Sequence, residues 1–202
     1  MSAEVKAADV KALRDKTGAG MMDSKEALTE AGGDFDRAVE ILRVKGQASA
    51  AKRSDRGTGE GVVASYIHTN RSVGSLVEVQ CETDFVARNE DFVEFASEVA
   101  LHIAAASPLY VSDSDIPEDQ VAAERKVFEA KAREEGKPDD VVEKIVDGQV
   151  AKWKQEIALL DQVHVNADKH DSKTIEQLRE ELSAKVGENV VISRFSCFRI
   201  GE

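Results

Sequence analysis

The chain has 202 residues, of which 42% are hydrophobic and 33% are charged, and its net charge of −12 argues against a nucleic-acid partner. Its two cysteines are too few to build a disulfide framework or, alone, a zinc site. The N-terminus lacks an apolar signal core and no apolar run approaches the length of a membrane span, so we expect a cytoplasmic protein without a membrane partner.

Three short helices are predicted over residues 1 to about 46. Asp23 or Ser24 is expected to cap the second helix and Asp34 the third. Gly46 is expected to follow the end of the third helix. The glycines between these helices favour a small bundle.

Strands are predicted next, after a polar, glycine-bearing linker at 47–61. Val62–His68 and Val73–Glu82 are expected to form a hairpin, and apolar residues alternate with polar ones in its second strand. The β-branched and aromatic segment Val190–Ile200 is predicted to pair with the hairpin. The expected result is a three-stranded antiparallel sheet.

Helices should accompany this sheet. One is predicted from Asn89, because apolar residues recur at intervals of three and four along it. Two more, over Pro117–Glu135 and Asp139–Leu160, are joined by a Gly-Lys-Pro break. Heptad spacing in the second of these predicts an antiparallel coiled-coil arm that protrudes from the core. A last helix is expected from Thr174 to Gly187, which makes the fold class α+β.

Residues that could carry chemistry do not form a convincing catalytic or metal site. His164, Asp168 and His170 could approach one another, but their spacing favours solvated loop residues and no metal. Cys81 could be a nucleophile with His68 as its base, yet its place in the alternating strand favours a core residue.

Neither glycine-rich stretch of the chain predicts a nucleotide site. Gly18–Gly20 and Gly57–Gly61 are not followed by Lys-Ser/Thr, and neither joins a strand to a helix in a βαβ unit. We therefore expect turns or linkers at both places and no cofactor.

Phe85 has two interpretations. If the helix from Asn89 began earlier, Phe85 would lie seven residues before Phe92 on the same buried stripe. However, Thr83 and Asp84 end the strand just before it, which places the aromatic at a corner. A side chain there can point outward at another protein, and the sequence leaves both interpretations open.

The chain resembles the elongation factor Ts family over essentially its whole length. Leu13–Asp23 is similar to the N-terminal signature of that family, and Cys81–Arg88 is similar to its second signature. The likeness continues through Gly136–Pro138, Glu143–Gly148 and Val186–Asn189. Gln149 departs from the basic residue often found after the Asp-Gly pair.

This resemblance implies a guanine-nucleotide exchange factor for elongation factor Tu that performs no covalent chemistry. By position, the corner formed by Thr83, Asp84, Phe85 and Val86 is expected to dislodge Mg²⁺ from the partner. The expected partner-binding residues are Arg14, Met21 and Met22. His68 is added to them for a different reason, because it ends a predicted strand and could face a partner. Met21 and Met22 have an alternative interpretation as core residues of the small bundle.

The resemblance also implies a domain plan. Residues 1–54 form a UBA-like (ubiquitin-associated-like) helical head, and residues 55–202 form the α+β core with the arm inserted at about 117–160. Because the core has a single sheet-forming set, we expect a homodimer. The main rival is a UBA-like adaptor that binds partners through the head without exchange activity, and a cysteine hydrolase is a third, weaker alternative.

Overall fold

The computed structural model describes residues 5–201. Residues 1–4, part of the N-terminus in which no signal core is predicted, lie outside this range. Over the described residues the chain forms eight α-helices and a three-stranded antiparallel sheet, so the predicted α+β class is confirmed. Two compact units divide the chain. The first contains the chain up to Val63, Glu78–Ala96 and Gln177–Ile192, and the second contains Ala64–Val77, Ser97–Glu176 and the chain from Ser193.

The first unit includes a head of three helices, as predicted. These are α1 (Ala7–Thr17), α2 (Met21–Glu30) and α3 (Phe35–Ala51). Their buried apolar side chains form one cluster of Val10, Leu13, Ala27, Leu28, Ala31, Ala38 and Leu42. Asp34 caps α3 by accepting the amide hydrogen of Arg37 at 3.0 Å. The predicted cap of the third helix is therefore confirmed.

Two predicted helix boundaries in the head are wrong. Helix α2 begins at Met21, after Gly20, so neither Asp23 nor Ser24 is its cap. Helix α3 runs through Gly46 to Ala51. A glycine inside a helix costs only about 1 kcal/mol, and the alanines that follow Gly46 are good helix formers. The linker that follows α3 is therefore shorter than the predicted linker at 47–61.

The sheet consists of β1 (Glu60–Ile67), β2 (Val73–Cys81) and β3 (Val191–Arg199), in the order β1-β2-β3. Strand β2 is central, and its residues Val77, Val79 and Cys81 are buried in alternation, as predicted. Successive side chains of a strand lie on opposite faces of the sheet, which explains why the alternation of apolar and polar residues predicted this strand.

Helices α4 (Asp84–Ala87) and α5 (Glu90–Ala106) follow the central strand. Helix α5 buries the predicted stripe, which includes Phe92, Val99 and Ile103. In the second unit the hydroxyl of Ser75 on β2 donates to the carbonyl of Ala100 on α5 at 2.6 Å. This bond joins the helix to the sheet.

Helices α6 (Glu118–Glu134) and α7 (Asp139–Ile157) pack on each other through a small apolar cluster. Its buried members are Ala132, Val142, Val146 and Val150. The prediction that the second of these helices extends to Leu160 is wrong, because α7 ends at Ile157 and Leu159–Asp161 forms a 3₁₀ turn. That these two helices form a coiled coil remains a prediction. Within residues 5–201, none of the helices has the length and apolar character needed to cross a membrane.

The last helix, α8 (Ile175–Val186), ends at Gly187, whose φ is +77°. This left-handed backbone favours glycine and is a common way to end a helix. Glu188 and Asn189 follow directly, before β3. The glycine thus turns the chain where two polar residues meet the end of β2.

Candidate functional site

The corner that sequence reasoning singled out is a single helical turn at the end of β2. Thr83 is the N-cap of α4, and its hydroxyl oxygen accepts the amide hydrogen of Val86 at 3.5 Å. Ala87 is buried and fixes the far end of the turn. The predicted strand end and corner are therefore present, although the short helix was not predicted.

Glu188 holds the base of this corner. Its Oε2 accepts the amide hydrogens of Glu82 and Thr83, both at 3.0 Å. Its Oε1 accepts the hydroxyl hydrogen of Thr83 at 2.6 Å. Hydrogen bonds to a carboxylate are stronger than those between neutral groups, so one side chain fixes the backbone just before Phe85.

A second set of bonds braces the same place. The Asn189 amide donates to Glu82 Oε1 at 2.7 Å, and Arg56 lies 3.3 Å from the same oxygen. The Asn189 side-chain amide donates to the carbonyls of Ser54 and Arg56 at 3.2 and 2.9 Å. The Asn189 amide, with a smaller contribution from Arg56, lowers the pKa of Glu82. Asn189 and Arg56, which lie far apart along the chain, therefore both bind Glu82 at the start of the corner.

Phe85 points away from this scaffold. Its side chain is 81% exposed, so the interpretation as a core aromatic is wrong. Asp84 is half-buried, and its Oδ2 lies 3.1 Å from the guanidinium of Arg88 one turn later. The corner thus presents one aromatic ring beside one carboxylate on a rigid base. An aromatic and a charged group so placed can enter a partner's surface without reorganising this chain.

The head residues expected to bind a partner belong to the same compact unit as the corner. Met21 and Met22 are 49% and 65% exposed and Arg14 is exposed, which contradicts the alternative that the methionines fill the bundle core. His68 belongs to the second unit, is exposed, and its Nδ1 lies 3.0 Å from the hydroxyl of Tyr66. Their roles toward a partner remain predictions.

Cys81 is buried, as predicted for a core residue. Its Sγ donates to the carbonyl of Thr83 at 3.2 Å. Burial, with a smaller contribution from Glu188, raises the pKa of the thiol to about 11. Because the nucleophile in cysteine chemistry is the thiolate, this environment argues against the hydrolase alternative.

The surroundings of His164 and His170 differ from the sequence prediction. His164 is buried rather than a solvated loop residue, and that prediction is wrong for it. His170 packs edge-on against it, with ring centroids 4.3 Å apart. The carboxylate beside both rings belongs to Glu98 on α5, whereas the sequence suggested Asp168. Because Glu98 lies far from both histidines along the chain, no sequence spacing indicates that it contacts them.

Glu188 and Asn189 are functional candidates that sequence reasoning missed. They lie in the family-like segment Val186–Asn189, and the sequence of that segment does not indicate a role for either residue. The available signal was a glycine that ends a helix, followed by two polar residues just before a closing strand. The contact partners lie more than 100 residues away in the chain, so no local pattern reveals them.

The chain is similar to known proteins over nearly its whole length. The family model described as "Elongation factor TS" matches residues 3–202. An elongation factor Ts of Solidesulfovibrio magneticus is 54% identical over 198 residues, covering 98% of both chains. That of Geotalea uraniireducens is 51% identical, covering 98% of this chain and 90% of its own. That of Desulfitobacterium hafniense is 48% identical, covering 99% and 91%. The chain therefore belongs to the elongation factor Ts family, whose members act in the elongation step of protein biosynthesis.

Proposed function

We propose that this chain is a guanine-nucleotide exchange factor for elongation factor Tu, and that the corner Thr83–Val86 promotes release of GDP. The observation that carries the proposal is the 81% exposed ring of Phe85 on a base fixed by Glu188. Family membership supports elongation factor Tu as the partner. The chain performs no covalent chemistry in this role and needs no cofactor.

The mechanism follows from how GTPases hold GDP. Backbone amides, a lysine and a bridging Mg²⁺ neutralise the phosphates. In our proposal the Phe85 ring enters between elements of the partner that position its Mg²⁺ ligands, and the Asp84 carboxylate disturbs the same region. Once the metal is displaced, the phosphates lose the charge that stabilises them, and GDP leaves faster.

The coupling between this chain and GDP must be reciprocal. If the chain weakens GDP binding by a given factor, bound GDP weakens binding of the chain by the same factor. The ternary complex is then transient, and GTP can enter the vacated site. A rigid corner suits this role, because little of its binding free energy is lost in ordering the chain.

The head supplies a second contact in this proposal. Exposed Met21 and Met22 at the start of α2, with Arg14 on α1, bind the nucleotide domain of the partner. Methionine side chains adapt to a partner's surface and are common at such interfaces. We assign residues 1–54 to a UBA-like head and residues 55–202 to the core, and we place His68 at a further contact.

We also propose that the chain acts as a cytoplasmic homodimer. Strands β1 and β3 are the edges of the sheet, and exposed apolar side chains lie along them. In the second unit a groove of about 620 Å³ is lined by residues of all three strands, including Ile67, Leu76 and Phe198, and by Ile200 just after β3. Their exposed fractions lie between 48% and 80%. A second copy covers this surface in our proposal.

The test is release of fluorescent GDP from elongation factor Tu. Elongation factor Tu loaded with labelled GDP is mixed with substoichiometric chain and excess unlabelled GDP. An exchange factor accelerates release of the whole label, because each molecule acts repeatedly. A UBA-like adaptor binds without accelerating release, so a rate equal to the spontaneous one contradicts the proposal.

A further inference from the structure

A cluster of nitrogen and oxygen ligands outside the corner lies between α5 and the segment 162–174. His164 Nε2 lies 3.5 Å from Glu98 Oε2, and His170 Nε2 lies 3.4 Å from the same oxygen. The three atoms all lie within 4.8 Å of one another. His164 is fully buried, whereas the side chains of Glu98 and His170 are 20% and 17% exposed. The cluster is therefore formed beneath the surface but open to solvent on one side.

The spacing of these atoms fits a small tetrahedral cation. Ligands at about 2.0–2.1 Å from Zn²⁺ in tetrahedral geometry lie about 3.3–3.4 Å from one another. Charge-assisted hydrogen bonds, by contrast, bring nitrogen and oxygen to about 2.7–2.9 Å. The observed separations of 3.4 and 3.5 Å between the two ring nitrogens and the carboxylate oxygen lie closer to the first value than to the second. Two imidazoles and one carboxylate also favour zinc-like metals over Mg²⁺ or Ca²⁺, which prefer oxygen.

Neighbouring residues orient the cluster. The Lys169 ammonium lies 2.8 Å from Glu98 Oε1 and so leaves Oε2 turned toward the two rings. Outer contacts of this kind commonly hold metal ligands in place.

We propose that Glu98, His164 and His170 form a binding site for one divalent transition-metal ion of the zinc class, which fastens the segment 162–174 to α5. A water molecule completes the tetrahedron on the exposed side. The site is separate from the nucleotide-exchange proposal, since none of its residues belongs to the corner or to the head.

Metal binding has a specific structural consequence at His164. In the structure the Asn166 amide donates to His164 Nδ1 at 3.1 Å, and His164 Nε2 lies 3.3 Å from the backbone carbonyl oxygen of Glu98, so the ring hydrogen sits on Nε2. A metal on Nε2 requires that hydrogen to move to Nδ1, and the Asn166 amide must then turn away. The tautomer of His164 therefore reports whether the ion sits in this cluster.

The experiment uses the untagged full chain after chelator treatment. Calorimetric titration with Zn²⁺ should show one ion per chain, and His170→Gln should weaken that binding by at least about tenfold. The matched control is His68→Gln, which alters an exposed histidine outside the cluster and should bind Zn²⁺ as tightly as the unaltered chain does. In nitrogen-15 spectra of the unaltered chain, Zn²⁺ should shift His164 from the Nε2–H to the Nδ1–H tautomer.

Several results would overturn the proposal. They are the absence of stoichiometric Zn²⁺ binding, equal binding by His170→Gln, or an unchanged His164 tautomer in the presence of bound Zn²⁺. The spectroscopic measurement needs no substitution, so it decides the question even if the His170 variant folds poorly.

Discussion

Truncation of Phe85 separates a partner-binding aromatic from a structural one. A fully covered aromatic side chain buries about 150–250 Å². With 81% of Phe85 exposed, about one fifth, or roughly 40 Å², is covered in the free chain. At about 25 cal/mol per Å², Phe85→Ala should lower the free energy of unfolding by about 1 kcal/mol or less. The better helix propensity of alanine offsets part of that loss.

The same substitution should have a large effect on exchange. An aromatic that is buried only in the complex commonly contributes about 2 kcal/mol or more to binding. That corresponds to about a 30-fold fall in the rate of GDP release at limiting concentrations of the chain. Urea unfolding followed by circular dichroism gives the stability, and fluorescent GDP release from elongation factor Tu gives the exchange rate.

Phe92→Ala is the matched control, because Phe92 is fully buried on α5. It should destabilise the chain by about 3–5 kcal/mol and should leave exchange per folded molecule nearly unchanged. If Phe85→Ala gives this second pattern, with a strongly lowered unfolding midpoint and intact exchange, the reasoning about the corner is refuted.

Three other substitutions test further parts of the account. Glu188→Gln should slow exchange and lower the free energy of unfolding by about 1–3 kcal/mol, because the carboxylate accepts three hydrogen bonds at the corner; exchange no slower than that of the exposed-site control Glu143→Gln would contradict this. In a Cys197→Ser background, Cys81 should resist iodoacetamide at pH 8 until urea unfolds the chain, since burial raises the pKa of its thiol to about 11. The stability that the protonated Cys81 thiol contributes should be lost as the pH rises from 9 to 11, because the pKa of this thiol is higher in the folded chain than in the unfolded chain. Phe198→Glu should turn the proposed dimer into a monomer in light scattering, and an unaltered chain already monomeric at micromolar concentration would refute the dimer.

Local periodicity made much of the fold predictable. The alternation of Val77, Val79 and Cys81 and the stripe on α5 both follow from backbone geometry, and the structure buries them accordingly. Boundaries set by weak local preferences were less predictable. Gly46 was expected to lie beyond the end of α3, yet the helix continues through it because its neighbours favour helix.

The site was only partly predictable because its supports are distant in sequence. The corner itself could be located, since Thr83 and Asp84 end a strand just before an aromatic. Whether Phe85 was buried depended on packing that no local pattern encodes. Its scaffold, Glu188, lies 105 residues from Thr83. The same reason explains why Glu98 was not connected with the two histidines of the 162–174 segment.

The most direct test of the central claim measures GDP release from elongation factor Tu with and without Mg²⁺, in the presence of the unaltered chain and of Phe85→Ala. If the corner acts by displacing the metal, the unaltered chain should accelerate release much more in Mg²⁺ than in a chelator. The difference between the two chains should then shrink when the metal is already absent. Equal acceleration by both chains in Mg²⁺, or an effect of Phe85 that is independent of Mg²⁺, would contradict the account.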